Sequence, residues 1–207
     1  MKLTRALLCA AAGFTLIHGS AMAQTQLAED DQEFLRKAAE SGMLEIQASE
    51  IAVQRSQHPE VKSYAEMMIK DHTAVDKELK QLAGDKGFTL PSQLEGDKQD
   101  LLENLRQLEG PSFDDEYVDE VAIDAHEEAV DLFEDAADDA EDADIKAFAA
   151  KHLPSLKKHL EMGEQLEDKL DESDNRRDRS AATDGTAGQK EGSVVIPGTD
   201  AQPQPKQ

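Results

Sequence analysis

The chain has 207 residues, a formal net charge of −23 at pH 7, one Cys and no Trp. Such an acidic surface repels nucleic acid and anionic lipid. We therefore expect no nucleic-acid partner, but a cation or a basic protein, unless the charge serves only to keep the protein in solution. The single Cys9 excludes a disulfide framework and a zinc site built on thiolates.

The first residues are typical of a secretory signal peptide. Lys2 and Arg5 precede an apolar run over residues 6–17, and small residues around Ala23 form a cleavage site. The run is too short to span a bilayer, and no second apolar span follows it. We therefore predict a signal peptide over residues 1–23 and a leader over 24–29. The mature protein should be soluble, lack a transmembrane segment, and lie in the periplasm or outside the cell.

Two long amphipathic helices are predicted next, over residues 30–56 and 59–85. Their apolar and small residues recur at steps of three and four, the spacing of one buried helix face. Pro59 separates them, because the residue before a proline leaves the helical region and proline suits the first turn of a helix. The connection is so short that the two helices must form an antiparallel hairpin. The buried face of the second helix contains Val61, Ala65, Met68, His72, Val75, Leu79 and Leu82.

The second half of the chain predicts another hairpin. A loop over residues 88–96 leads to a short helix over 97–108, and long helices follow over 113–139 and 144–170. Pro154 lies inside the last helix, where it predicts a kink or a broken turn. From Asp171 onward the periodicity disappears, and Asp, Ser, Gly, Gln and Pro dominate. We predict a disordered acidic and polar tail over 171–207.

These elements predict an all-α protein. Residues 30–170 should form an up-down four-helix bundle of two helical hairpins, with a short extra helix in the crossover. About 140 residues suffice for one proper core. That core should be rich in Ala, Leu, Val and Met and poor in aromatic residues.

Four polar residues are predicted to share one level of this bundle. Glu45 and His72 lie about 13 residues on either side of the first hairpin turn, and His126 and His159 about 16 residues on either side of the second. If both turns lie at the same end of the bundle, all four side chains lie roughly 20–25 Å from that end. Three imidazoles and a carboxylate could bind one first-row transition metal ion. The alternatives are a hydrogen-bonded polar layer that fixes helix register, or histidines that face solvent.

The remaining candidates are weaker. His58 belongs to a turn and should be exposed, and His152 is expected to satisfy a backbone group loosened by Pro154. The methionines are interpreted as core residues rather than copper ligands. Tyr64 and Tyr117 should pack with hydrogen-bonded hydroxyls. No nucleophile–base pair or phosphate-binding loop is present, which argues against an enzyme.

Several stretches resemble a known family. They are DQEFLRKAAESGMLEIQASEIA, VKSYAEMMIKDHTAVDKELKQLA with GFTLP, FDDEYVDEVAIDAHEEAVDLFEDAA and IKAFAAKHLPSLKKHLEMGEQL. Together they resemble the ferritin-like domain-of-unknown-function family four-one-four-two, whose members are often labelled outer-membrane or exported proteins. The resemblance covers about residues 30–170 and implies an exported, ferritin-like helical bundle without an assigned activity. It also places His72, His126 and His159 in family motifs and Glu45 at the acidic position of the first helix.

A di-iron centre does not follow from the resemblance. Ferritin-like di-iron proteins use Glu-x-x-His pairs, but the residues three before the histidines are Ile69, Ile123 and Leu156. Besides a mononuclear metal oxidase or hydrolase, which has the weakest support, two functional hypotheses stay open. The protein binds a metal ion or a small ligand through its Glu/His layer, or it is a non-enzymatic periplasmic interaction or stress-protection protein whose layer is structural.

Overall fold

The computed structural model describes residues 27–184. The predicted signal peptide and residues 185–207 of the predicted tail lie outside this range. No strand occurs among the described residues, so the predicted all-α class is confirmed. The elements are α1 (Glu29–Arg55), α2 (Pro59–Asp85), α3 (Asp97–Leu105), α4 (Pro111–Tyr117), a π-helical segment (Val118–Asp124), α5 (Ala125–Asp139) and α6 (Ala143–Asp184).

The helix ends follow from local chemistry. Three acidic residues lie in the first turn of α1, where they interact favourably with the helix dipole. Pro59 occupies the first turn of α2, as predicted. Gly87 follows the end of α2 with φ of 68°, a conformation that side chains with a Cβ rarely adopt. The chain therefore leaves α2 sharply and enters the crossover.

Four long helical rods form the bundle, in the cyclic order α1, α2, α6 and the rod made of α4, the π-helical segment and α5. At one end, Asp31 accepts hydrogen bonds from the backbone N–H groups of Glu141 (3.2 Å) and Asp142 (2.9 Å). At the other end, Arg55 donates to the carbonyl oxygen of Leu108 at 3.1 Å. The start of α1 thus lies beside the α5–α6 turn, and neighbouring rods are antiparallel.

The expectation that both hairpin turns lie at the same end of the bundle is therefore wrong. The crossover between α2 and α4 contains the predicted short helix, α3, and packs along α1 from one end of the bundle to the other. Because the connection is that long, α4 can start at the end where α2 started. The second hairpin consequently points the opposite way from the first.

Two other features differ from the sequence prediction. Helix α6 continues through Pro154 and ends at Asp184, beyond the predicted end at Leu170. Pro154 and Ala150, whose carbonyl loses its helical donor, are both exposed, so water can supply the missing bond. The predicted fourth helix contains the π-helical turns over Val118–Asp124, which no sequence pattern indicated.

The apolar core divides into two clusters. The first, here the tyrosine cluster, is built around Tyr64, Tyr117 and Met68. The second, the phenylalanine cluster, is built around Phe34 and Phe133 with neighbours on all four rods. Along each rod the predicted polar residue falls between members of the two clusters. Within residues 27–184, no helix combines the length and apolar character needed to cross a membrane.

Candidate metal centre

The four predicted polar residues meet in the middle of the bundle. Each comes from a different rod, and none is more than 4% exposed: Glu45 on α1, His72 on α2, His126 on α5 and His159 on α6. The three imidazole ring centroids lie 5.2, 5.4 and 5.6 Å apart. The sequence prediction of one shared level is therefore correct in its result, although the two hairpin turns lie at opposite ends.

One nitrogen of each imidazole faces the others. A ring nitrogen from each of the three histidines lies within 4.8 Å of the other two. Six buried side-chain polar atoms of the described residues lack a hydrogen-bond partner, and three of them are here: His72 Nε2, His126 Nε2 and His159 Nδ1. Unpaired buried polar atoms are rare and need an explanation. A shared electron-pair acceptor at the centre would supply one.

The second nitrogen of each ring is held by the protein. His72 Nδ1 lies 2.6 Å from the Glu45 carboxylate, and His126 Nδ1 donates to the carbonyl oxygen of Val121 at 2.9 Å. His159 Nε2 lies 3.4 Å from a carboxylate oxygen of Asp71 and 3.4 Å from the hydroxyl of Ser155. Metal-binding histidines are commonly oriented in this way, by an outer carboxylate or carbonyl on the nitrogen that does not bind.

Glu45 has a different position from the one predicted for it. It was predicted as a fourth ligand, but its carboxylate lies against the Nδ1 side of His72, away from the unpaired Nε2. Its other oxygen accepts a hydrogen bond from the Ser41 hydroxyl at 3.1 Å. The carboxylate therefore orients His72 and supplies negative charge, while the nitrogen group contains only the three histidines.

Sequence reasoning missed the partners that orient the rings. Ser41 and Ser155 lie one helical turn before Glu45 and His159, and Asp71 directly precedes His72, so their spacing was readable. The role of the Val121 carbonyl was not readable. It depends on the π-helical segment, a local structure that often occurs at functional sites but has no sequence signature here.

Burial and mutual charge control protonation in the layer. Burial alone would raise the pKa of Glu45, but the charges of His72 and His126 and the bonds from His72 and Ser41 lower it to about 2. Burial would lower the pKa of His72, yet the Glu45 carboxylate raises it above its ordinary value. Burial lowers the pKa of His126. Burial and the two other imidazoles lower the pKa of His159 to about 4. At neutral pH, His126 and His159 therefore offer lone pairs.

The remaining candidates stand apart from the centre. His58 is half-buried at the start of α2 rather than exposed. His152 bonds the Glu78 carboxylate at 3.0 Å, instead of the backbone group expected for it. The tyrosine hydroxyls are hydrogen-bonded, as predicted. Tyr117 shares a 2.8 Å bond with Ser49, and Tyr64 donates to the carbonyl of His159 at 3.1 Å.

A family model for a domain of unknown function, DUF4142, matches residues 18–166. The chain belongs to the DUF4142 family. This confirms the family resemblance seen in the sequence, and the DUF4142 description assigns no activity. No functionally curated protein matches the chain.

Solved structures show where the DUF4142 fold recurs. The crystal structure of a DUF305 fragment from Deinococcus radiodurans superposes with a TM-score of 0.61 at 13% identity, covering 69% of this chain and 98% of that one. CopM in its Cu(II)-bound form gives 0.57 at 21% identity, covering 67% and 96%. The Cu(I)-bound form of CopM gives 0.56 at the same identity. At these identities the likeness establishes a shared helical fold and nothing more.

Proposed function

We propose that this protein binds one first-row transition metal ion through His72, His126 and His159. Two observations support this most directly: each of the three histidines has a buried ring nitrogen without a hydrogen-bond partner, and one ring nitrogen from each lies within 4.8 Å of the other two. Each such atom costs about 1–3 kcal/mol of unfolding free energy if it remains unsatisfied. One bound cation would satisfy all three at once. A purely structural layer, the alternative, would gain nothing from leaving these atoms unpaired.

The three imidazole ligands limit which metal ions the centre can bind. Neutral imidazoles suit zinc, copper, iron and nickel, whereas calcium and magnesium prefer oxygen ligands. The nearest carboxylate, Glu45, would offset part of the charge of the ion through His72. Copper is the first ion to test, since CopM, whose fold is similar, is a copper-bound protein in two of the compared structures. Binding and retention of the ion are the proposed role.

The predicted export would place this centre outside the cytoplasm. In this proposal the signal peptide over residues 1–23 is removed after Ala23, and the bundle over residues 30–170 binds the ion in the periplasm or beyond. The acidic surface would then raise the local concentration of cations. Amino-terminal sequencing of protein recovered from the periplasmic fraction would check the cleavage site, and full-length protein retained in the cytoplasm would contradict it.

Metal titration of the mature chain without a His tag tests the centre. We expect one equivalent of Cu²⁺, Cu⁺ or Zn²⁺ per chain, and no loading in His72→Ala or His159→Ala. Binding should also raise the free energy of unfolding, by about 2.7 kcal/mol at a free concentration of 100 times Kd. Glu45→Gln should weaken binding by roughly 10–100-fold without abolishing it, because it removes the charge that orients His72.

The matched control is His152→Ala, which removes an imidazole that lies outside the centre. It should bind one equivalent of metal ion, as the unchanged chain does. Occupancy well below one equivalent for every ion, also after reloading of the stripped protein, would refute the proposal. So would full loading in both His72→Ala and His159→Ala.

A further inference from the structure

The centre is closed toward the tyrosine cluster. Helix α6 approaches the π-helical segment so closely that a Cβ atom on Gly163 would overlap the carbonyl oxygen of Ala122. Tyr64 bridges α2 and α6 through its bond to the His159 carbonyl, and Tyr117 bridges α4 and α1 through Ser49. An ion could pass here only if these interhelical contacts broke.

The opposite side contains a cavity. It has a volume of about 20 Å³, enough for one water-sized particle, and both Glu45 and His72 line it. Toward the outside it is lined by half-buried residues of α1 and α2, among them Ser41, Gly42 and Val75. The cavity therefore lies between Glu45 and His72 on the inside and the seam of α1 and α2 on the outside.

Gly42 leaves the wall of this cavity open. A Cβ atom built on Gly42 would meet no other atom within 4 Å, so neither packing nor a close approach requires glycine. Its φ is not positive either, unlike that of Gly87, Gly96 and Gly110. Glycine inside a helix costs about 1 kcal/mol relative to alanine. Glycine at this position thus lowers the stability of α1, and the gap over the cavity is the structural feature that it produces.

We propose that metal ions enter and leave the centre through the gap at Gly42, between α1 and α2. This inference rests on the proposed function. Of the four residues of the centre, only Glu45 and His72, which it orients, line the cavity, so an ion that enters here meets these two side chains before the other two histidines. Asp76, the other carboxylate that lines the cavity, is paired with Lys80 at 2.7 Å.

Filling the gap should change rates without changing affinity. We would mix the mature chain with Cu²⁺ in a stopped-flow instrument, follow the absorption of imidazole-bound copper, and then extract the ion with EDTA. For Gly42→Leu we expect loading and extraction to slow by the same factor, at least tenfold. Occupancy at equilibrium should remain one equivalent. A merely structural defect would instead alter the endpoint or change one rate only.

Two variants serve as controls. Gly42→Ala adds one carbon to the gap, and it should fall between the unchanged chain and Gly42→Leu. It also provides a readout should Gly42→Leu fold poorly. Ala74→Leu places the same side chain on the exposed face of α2, and it should load at the original rate.

The possible outcomes distinguish a failure of the entry route from a failure of the proposed metal centre. Loading of Gly42→Leu at the original rate, or slower loading with normal extraction, would overturn the entry route while leaving the centre intact. Failure of the unchanged chain to bind copper at equilibrium would instead refute the centre itself.

Discussion

Two clusters of three rings lie in the same bundle, and they differ in polarity. Phe34, Phe133 and Phe148 have centroid distances of 5.1, 5.9 and 6.3 Å, and the three histidines have distances of 5.2 to 5.6 Å. Both clusters are buried and both join helices from the two hairpins. The phenylalanine rings need nothing beyond contact. The histidine rings each leave a polar nitrogen without a partner.

The comparison distinguishes rings that stabilise the fold from rings that are suited to binding a ligand. Burial of an aromatic ring contributes directly to the free energy of unfolding. A buried imidazole that packs equally well stabilises the fold less, because its unpaired nitrogen has lost its hydrogen bonds to water. The histidine layer therefore stabilises the core weakly, but its unpaired nitrogens are suited to binding an ion.

Ring removal should show this difference most strongly. Phe34→Ala should lower the free energy of unfolding by about 3–5 kcal/mol, because it leaves a cavity between two phenylalanine rings. His126→Leu should change it by less than about 1.5 kcal/mol, since it loses one bond to Val121 but also removes an unpaired nitrogen. Urea unfolding of the metal-free proteins measures both. Equal losses would show that the two clusters stabilise the fold alike.

A pair of glycine variants should give a smaller effect and test how the layer is assembled. Gly163→Ala should cost about 1–3 kcal/mol, because the new methyl group forces α6 away from the π-helical segment. His159 lies one turn before Gly163 on α6, and His126 lies one turn after Ala122 at the start of α5, so metal affinity should fall as well. Gly42→Ala should instead stabilise the chain by up to about 1 kcal/mol. Thermal unfolding of both metal-free variants gives the comparison, and a stable Gly163→Ala with unchanged metal affinity would refute it.

The level of the site was predictable despite the error about the hairpin turns. Helices α1 and α2 each contain 27 residues, and Glu45 and His72 lie near their midpoints. A residue near the midpoint of a rod lies at the same height whichever way the rod runs. His126 and His159 therefore met the first pair although their hairpin is inverted. The helical periodicity fixed the buried face, and no knowledge of the direction was needed.

The orientation of each ring was not predictable in the same way. Periodicity places a side chain inside the bundle, but it does not say which nitrogen points to the centre. That depends on the partners of the other nitrogen, including a carbonyl of the π-helical segment. For the same reason Glu45 was predicted as a ligand, because its spacing resembles that of the histidines while its hydrogen bond to His72 is visible only in three dimensions.

The smallest expected effect is a pH dependence of the metal-free bundle. The pKa of His126 is lowered and that of His159 is lowered to about 4, from an ordinary value of 6.5. Between those values the unfolded chain binds protons that the folded chain rejects, so stability falls as pH drops from about 6.5 toward 4. The raised pKa of His72, which Glu45 and Asp71 hold up against burial, acts in the opposite direction but in another range: it makes stability decline as the pH rises above 6.5.

Urea midpoints at pH 7.5, 6.5, 5.5 and 4.5 measure this effect, to which the phenylalanine cluster contributes nothing because it does not titrate. His152, whose pKa burial also lowers, contributes in the same direction, so the loss due to the layer is the difference between the unchanged chain and a variant that lacks His126 and His159. Phe34→Ala should therefore shift the whole curve downward without changing its slope. Replacing both His126 and His159 by Leu should reduce the loss below pH 6.5 and leave the contribution of His72, which makes stability decline as the pH rises above 6.5. A flat curve for the unchanged chain between pH 6.5 and 4.5 would mean that the two lowered pKa values are not a property of the folded layer.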